Sequence, residues 1–255
     1  IIIRSNTSPT GWTTNLIKNT IYSYFVKKAD KIIVNSYQFQ KQMKKKFNVK
    51  STMIYNPINI KEIKKKSLLK INNQFKKKNY INIINIGRLT DQKNQILILK
   101  AIKNLPKRIK INLLIIGYGN KEINLKNFIK KNCLQNNVKL IREINNPYKY
   151  LSKFDLFILS SKYEGLPNVL LECLALKIPI ISSNCPTGPY EILNGNKYGT
   201  LFHNNNINEL RKLIIRFNLK KKSFLKKTEL GYKSLARFNF KIKCNEYLDA
   251  SKSLF

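Results

Sequence analysis

The chain has 255 residues and a formal net charge of +36, from 49 Lys+Arg against 13 Asp+Glu. That length excludes a mini-protein that needs covalent staples, and 43% hydrophobic residues exclude wholesale disorder. The charge at first suggests a polyanionic partner, but its make-up argues otherwise: 42 of the 49 cations are Lys, and Asn (34) and Ile (36) are equally over-used. All three are favoured by A/T-rich codons, so base bias is the leading reading of the charge and a specific polyanion site the alternative. Four cysteines without C-x-x-C spacing and a single histidine, His203, speak against a Cys/His metal site. The thiols read as free, in keeping with a reducing cytoplasm. No apolar run approaches the ~20 residues that span a bilayer. The chain opens on Ile1-Ile2-Ile3, which reads as the tail of a strand and suggests that a beginning is missing.

Taken in order, short β-branched runs alternate with amphipathic segments. Strands are predicted at 31–35 and 52–55, with a helix over 36–47 between them. Asn56-Pro57 then breaks the pattern, because the residue before proline avoids the helical region. A Lys-rich helical stretch follows at 61–70. A second series has strands at 80–86, 110–116, 138–141, 156–159, 178–182 and 199–202, with helices at 92–104, 123–132, 148–153 and 168–176. These strands are continuously apolar, as expected when helices cover both faces, so the fold class is α/β with a doubly wound parallel sheet. Residues 207–255 read as helical. Residues 1–57 hold two strand patterns at most and 58–205 hold six, which places a boundary near residue 57.

In such sheets ligands bind beyond the carboxyl ends of the strands, where helix N-termini offer free N–H groups. After strand 80–86 come Gly87, Arg88 and, at the expected start of the next helix, Lys93. An Arg fork with a Lys point charge suits a diphosphate, although a solvated pair in so basic a chain reads almost as well. Gly117-Tyr118-Gly119 lacks the third glycine of a dinucleotide fingerprint and reads as a tight turn. The strongest feature runs from Ser160 to Glu172. There Pro167 suits a first helical turn, Gly165 permits close backbone approach, and the N–H groups of Asn168, Val169 and Leu170 are expected to point at an anion. Glu164 and Glu172 bracket the helix start. Carboxylates there would repel phosphate, so sugar hydroxyls are their natural target.

With its two glutamates eight positions apart, this segment resembles the signature of GT4-type retaining glycosyltransferases of the GT-B fold (glycosyl transferases group 1). Ile86-Gly87-Arg88-Leu89 with Lys93, the run Asn146-Pro147-Tyr148, the loop Ser183 to Leu193, Ile33-Val34-Asn35-Ser36 and Ile54-Tyr55-Asn56-Pro57 are similar to further segments of that family. The resemblance covers about residues 30–205. It implies that Arg88 and Lys93 bind the donor diphosphate and stabilise the leaving group. Glu164 would contact the transferred sugar, with the backbone of Gly165, Leu166, Pro167, Asn168, Val169 and Leu170 completing that pocket. Glu172 would hold the ribose, and the base would lie against 140–143, where Arg142 replaces a frequent glycine. It implies no metal or other cofactor, and a nucleotide-diphospho-sugar donor, UDP-linked in preference to GDP-linked.

The resemblance further implies one complete Rossmann-like domain plus the end of a second. Residues 1–57 would be the remnant of an amino-terminally truncated acceptor domain, 58–205 the nucleotide-sugar-binding domain, and 206–255 helices packing back on both. The acceptor would be a polysaccharide or lipid-linked oligosaccharide of bacterial surface assembly. The expected location is cytoplasmic, with the Lys-rich runs favouring peripheral contact with anionic lipid at the inner face of the plasma membrane. Two other readings stay open: a non-catalytic nucleotide-sugar-binding fragment of a longer or split enzyme, and a nucleic-acid-binding protein. Scarce Arg and the lack of any nucleic-acid-binding signature count against the last, so no nucleic-acid partner is expected.

Overall fold

The structure is a computed structural model that describes residues 1–6, 9, 12, 15–70, 75–142 and 144–252. Two parallel sheets are built from nine strands among these residues. The first has the order β1-β2-β3, from Ile2–Ser5, Lys31–Val34 and Thr52–Met53. The second has six strands: β4 (Ile81–Ile86), β5 (Ile111–Ile116), β6 (Val138–Ile141), β7 (Leu156–Leu159), β8 (Ile180–Asn184) and β9 (Thr200–His203). Their spatial order is β6-β5-β4-β7-β8-β9. The chain therefore winds outward from β4 in one direction and from β7 in the other, which makes the β4/β7 junction the topological switch point.

The six predicted strands of the second series are all present. The amino-terminal sheet has a third strand beside the two patterns counted in the sequence, and it includes the strand-like opening Ile1-Ile2-Ile3 only in part, running over Ile2–Ser5. Ile2–Ser5 is stabilised by pairing residue for residue with Lys31–Val34, a non-local contact that no window of sequence shows. Helix α1 (Leu16–Lys28) is a further addition to the expected elements. Its apolar residues are scattered around the helix rather than gathered on one face, so the 3.6-residue period is weak. Its start is nevertheless marked, since the Asn15 side chain accepts from the Lys18 N–H at 3.1 Å. Helix α2 (Tyr37–Phe47) behaves as predicted: Ser36 caps it, and Phe39, Met43 and Phe47 are buried at i, i+4 and i+8.

Alternation along the second sheet splits its core in two. Ile83, Leu113, Ile115 and Ile158 pack on one face under α4 (Gln95–Lys103), α5 (Glu122–Lys131) and the long helix α9 (Ile207–Lys233). Ile84, Leu114, Ile116, Phe157 and Leu159 pack on the other, under α3 (Ile60–Ser67), α7 (Asn168–Ala175) and the short helix α8 (Pro189–Leu193). Helix α6 (Tyr148–Leu151) leads into β7. Helix α8 lies where the sequence reads as loop, because Pro189 at its first turn and Asn194 in the left-handed region confine it to five residues.

The carboxyl terminus returns to the first sheet. After a 3-10 turn (Ser234–Phe238), the Ile58 N–H donates to the Phe238 carbonyl at 2.9 Å. In α10 (Phe240–Lys252), Ala250 packs against Ile33 and Ile54, and the Tyr247 hydroxyl donates to the Ile54 carbonyl at 3.2 Å.

Gly117 and Gly119 let the β5–α5 turn lie on the β4–α4 turn. A Cβ on Gly117 would sit 2.0 Å from the Gly87 carbonyl oxygen, and one on Gly119 2.4 Å from that of Leu89. The contact is closed by Leu89 N–H donating to the Tyr118 carbonyl at 2.8 Å. Gly117→Ala is therefore expected to cost about 2 kcal/mol of stability, because backbone has to move to admit one methyl group. Urea denaturation measures this, and an unchanged midpoint would show that the two turns can separate freely.

Candidate functional site

The switch point carries the predicted residues. Beyond β4, Gly87 donates its N–H to the Ile116 carbonyl at 3.0 Å. The aliphatic stem of Lys93 lies over it, 3.6–3.7 Å from where a Cβ would stand. Arg88 is exposed and borders two cavities at once. Lys93 is not at a helix start as expected. Asn94 follows it in the left-handed region at φ 51°, so α4 begins only at Gln95, and Lys93 sits in the turn. That turn is held by Gln95 Nε2, which donates to the Arg88 carbonyl at 3.0 Å, and by Ser160 Oγ, which donates to the Lys93 carbonyl at 2.8 Å.

Beyond β7 lies Glu164, and its Oε1 receives the Lys93 ammonium at 2.6 Å. Both side chains are largely buried, with 17% of Lys93 and 7% of Glu164 exposed. Two turns that are 71 residues apart in sequence thus meet in one ion pair. Thr187 Oγ1 donates to the Glu164 carbonyl and fixes the backbone there. Gly165 does permit close approach, but the approaching group is protein: a Cβ would stand 2.0 Å from the Asn6 carbonyl oxygen of the first sheet's β1–α1 loop. Gly188, at φ 87°, packs on the same glycine, with the Gly165 carbonyl 2.3 Å from its absent Cβ. Leu166 and Pro167 are buried, and Pro167 is the N-cap rather than the first residue of α7. The Leu170 N–H donates to the Pro167 carbonyl at 3.0 Å, so it is not one of the free donors predicted. Asn168 and Val169 keep N–H groups at the helix start without a protein acceptor among the described residues.

Glu172 lies one turn into α7, where it takes the Tyr148 hydroxyl on its Oε1 at 3.3 Å. Burial pushes its carboxyl up to about 7, with the Tyr148 bond opposing. Desolvation and the neighbouring Glu172 raise the Tyr148 phenol to about 12. Of the segment expected to face a base, Leu140 and Ile141 close β6, and Glu143 lies outside the described residues. Arg142 is 81% exposed and turns toward Glu122, its Nε 3.7 Å from the carboxylate. A cavity of about 250 Å³ beyond β4 and β5 is lined by Ile86, Gly87, Arg88, Ile116, Gly117, Tyr118, Ile144 and Pro147. The sequence reading missed Ile144, Ile116 and Tyr118 as lining residues. An apolar residue at the last position of a strand, as at Ile116, is the signal that was there to use. His203 is 85% exposed and bonds Glu209 at 2.8 Å.

Hydrogen bonds fasten the first sheet to this site. Asn56 Nδ2 donates to the Leu166 carbonyl at 3.3 Å and to Asn168 Oδ1 at 2.7 Å. The carboxylate of Glu191 on α8 reaches across and accepts from the N–H groups of Tyr37 (2.9 Å) and Gln38 (3.2 Å), and from the Tyr55 hydroxyl (2.7 Å). A carboxylate at the positive end of α2 is favourable for the helix dipole. A cavity of about 530 Å³ opens between the sheets, walled by Trp12, Tyr22, Phe25 and Tyr163 with Arg88 and Gln92. The site therefore combines two cations, free helix amides and two carboxylates at one switch point. This arrangement can hold a diphosphate and hydroxyl-rich rings together.

Residues 65–233 match the family model described as glycosyl transferases group 1. An uncharacterized glycosyltransferase of Methanocaldococcus jannaschii is 39% identical over 180 residues, covering 68% of this chain and 44% of that protein. The N-acetylgalactosamine-N,N'-diacetylbacillosaminyl-diphospho-undecaprenol 4-alpha-N-acetylgalactosaminyltransferase of Campylobacter jejuni is 30% identical over 201 residues, 77% of this chain and 53% of that protein. The chain spans about half the length of the curated relatives it matches. Among solved structures, Anabaena HepE in complex with UDP and glucose superposes with a TM-score of 0.85 at 17% identity, over 99% of this chain and 71% of that one. Sucrose-phosphate synthase from Thermosynechococcus elongatus gives 0.81, also at 17% identity, over 97% and 64%. The likeness establishes an α/β fold of the GT-B type, and the matched profile settles the family: the chain belongs to the glycosyl transferases group 1.

Proposed function

We propose that this chain binds a nucleotide-diphospho-sugar, UDP-linked, and takes part in retaining transfer of the sugar to a polysaccharide or lipid-linked oligosaccharide, as a GT4-type enzyme. The observation that carries the reading is the meeting of Lys93 and Glu164 at the switch point, beside Arg88 and the start of α7. The transferase activity of the Campylobacter relative and the UDP bound to the structural neighbour point the same way.

On this reading the Lys93 ammonium, already placed against Glu164, is shared with the incoming diphosphate. Arg88 joins it from the exposed side. Both cations stabilise the negative charge that gathers on the diphosphate as its bond to the sugar breaks. Glu164, held by Lys93 and by Thr187, accepts hydrogen bonds from the transferred sugar. The amides of Asn168 and Val169 give donors at the positive end of α7. Glu172 accepts from the ribose hydroxyls, and the cavity at Ile144 and Pro147 takes the base. Residues 1–57 supply the acceptor side, 58–205 the donor side, and 206–255 the return helices. No helix of the described residues is long and apolar enough to cross a membrane. The Lys-rich faces of α2 and α3 would hold the protein at anionic lipid, at about 1 kcal/mol per lysine near the surface.

Titration calorimetry with UDP is the direct test. Saturable binding is expected, weakened at least tenfold by Arg88→Ala and by Glu172→Ala, since each removes a charged hydrogen-bond partner. Failure to bind UDP or GDP, with tight salt-dependent binding to single-stranded DNA instead, would refute the proposal.

A further inference from the structure

We propose that Asn35, from the first sheet, is a specificity-determining residue that grips the transferred sugar from the side opposite Glu164. This rests on the reading of the switch point as a nucleotide-sugar site.

Asn35 follows β2 immediately and is 1% exposed. Neither its amide nitrogen nor its amide oxygen has a hydrogen-bond partner among the described residues. A buried amide with both ends unpaired is costly, and an apolar side chain of the same size would be the more stable choice if the position were structural only. The Asn35 Nδ2 lies 3.3 Å from where a Cβ on Gly165 would stand, so it looks onto the residue next to Glu164.

The surroundings hold it there. Ser36 caps α2 directly after it, with its hydroxyl accepting from the Phe39 N–H at 3.2 Å. Glu191 pins the following two N–H groups from the other sheet. Asn56 fastens the Leu166 carbonyl on the far side of Gly165. An amide poised in this way has no partner among the described residues.

A partner has to accept from the N–H₂ group and donate to the carbonyl. Glu164 cannot serve both needs, because a carboxylate only accepts and this one is engaged by Lys93. A sugar ring fits: a hydroxyl both donates and accepts, and so does an acetamido group. Glu164 and Asn35 would then hold the ring between the two sheets, so that its identity is read by both halves of the molecule.

The test is calorimetry of the full chain and of Asn35→Leu and Asn35→Asp with UDP, UDP-glucose, UDP-galactose and the two N-acetylated counterparts. Wild type is expected to bind one or more UDP-sugars more tightly than UDP. Asn35→Leu should bind UDP as wild type does, lose about tenfold for the preferred UDP-sugar, and melt no lower than wild type. Asn35→Asp, which keeps the acceptor and loses the donor, should lose the preference too. Loss confined to the N-acetylated sugars identifies the acetamido group as the partner, and loss for the plain hexoses as well identifies a hydroxyl. Unchanged UDP-sugar affinities in Asn35→Leu, a parallel fall for UDP, a lowered melting point, or a wild type that shows no sugar-dependent gain would each overturn the assignment. A wild type that fails to bind UDP at all overturns the donor-site reading, and the role of Asn35 with it.

Discussion

Lys93→Met is expected to lower stability by about 3 kcal/mol and to abolish measurable UDP binding. The stability loss follows from what the substitution leaves behind. Glu164 is 7% exposed, and its Oε1 accepts from the Lys93 ammonium at 2.6 Å. Removing one partner of a buried pair strands the other charge, which costs far more than the pair as a whole contributes. One control separates this from simple loss of packing. The double variant Lys93→Met, Glu164→Gln should recover most of the stability, because no buried charge remains, and still fail to bind UDP. Chemical denaturation at pH 8 measures the effect. A single variant as stable as the double one at pH 8 would mean that solvent reaches the carboxylate and that the pair is not the keystone of the site.

The second large effect concerns Glu172 and pH. Burial raises its carboxyl to about 7. The ionised form is the one that can accept from both ribose hydroxyls, so a bound nucleotide favours loss of the proton. Affinity should therefore fall as pH drops from 8 to 6, approaching tenfold per pH unit once the free group is protonated. UDP-glucose is the suitable ligand, because its doubly esterified diphosphate has no proton to titrate in this range. Binding at pH 6.5 should release protons, seen as an enthalpy that changes with the ionisation heat of the buffer. Glu172→Gln should bind more weakly at pH 8, with no such slope. Stability responds to pH in the opposite sense. The folded chain holds this proton up to about 7 and the unfolded chain only up to the ordinary glutamate value of 4.5, so this group's contribution to stability declines as pH rises between the two. A pH-independent wild-type affinity would remove Glu172 from the ribose role.

Much of this molecule is legible in its sequence. The second sheet's strands are mostly apolar, since helices cover both faces, and that leaves clear runs such as 111–116 and 156–159. Arg88, Lys93, Glu164 and Glu172 each stand beyond such a run, and parallel sheets place that position at the ligand crevice. Details of local backbone are less accessible. Lys93 reads as helical, because its neighbours are apolar at helical spacing, yet Asn94 at φ 51° delays the helix. Leu170 reads as a free donor until the Pro167 carbonyl is seen to take its N–H.

Composition and periodicity thus determined the fold class, the order of strands and helices in the second half, and the residue types at the crevice. These are local properties, set by how each stretch of chain buries its own apolar face. Which residues face one another was set by non-local closure. The Lys93–Glu164 pair spans 71 residues, the bond from Asn56 to the Leu166 carbonyl 110, and that from the Tyr37 N–H to Glu191 154. Asn35 shows the difference most sharply. In the sequence it is only the last letter of the strand predicted over 31–35. Only with both sheets docked does it become a buried amide with no partner among the described residues, because burial and hydrogen-bond satisfaction are properties of the packed whole.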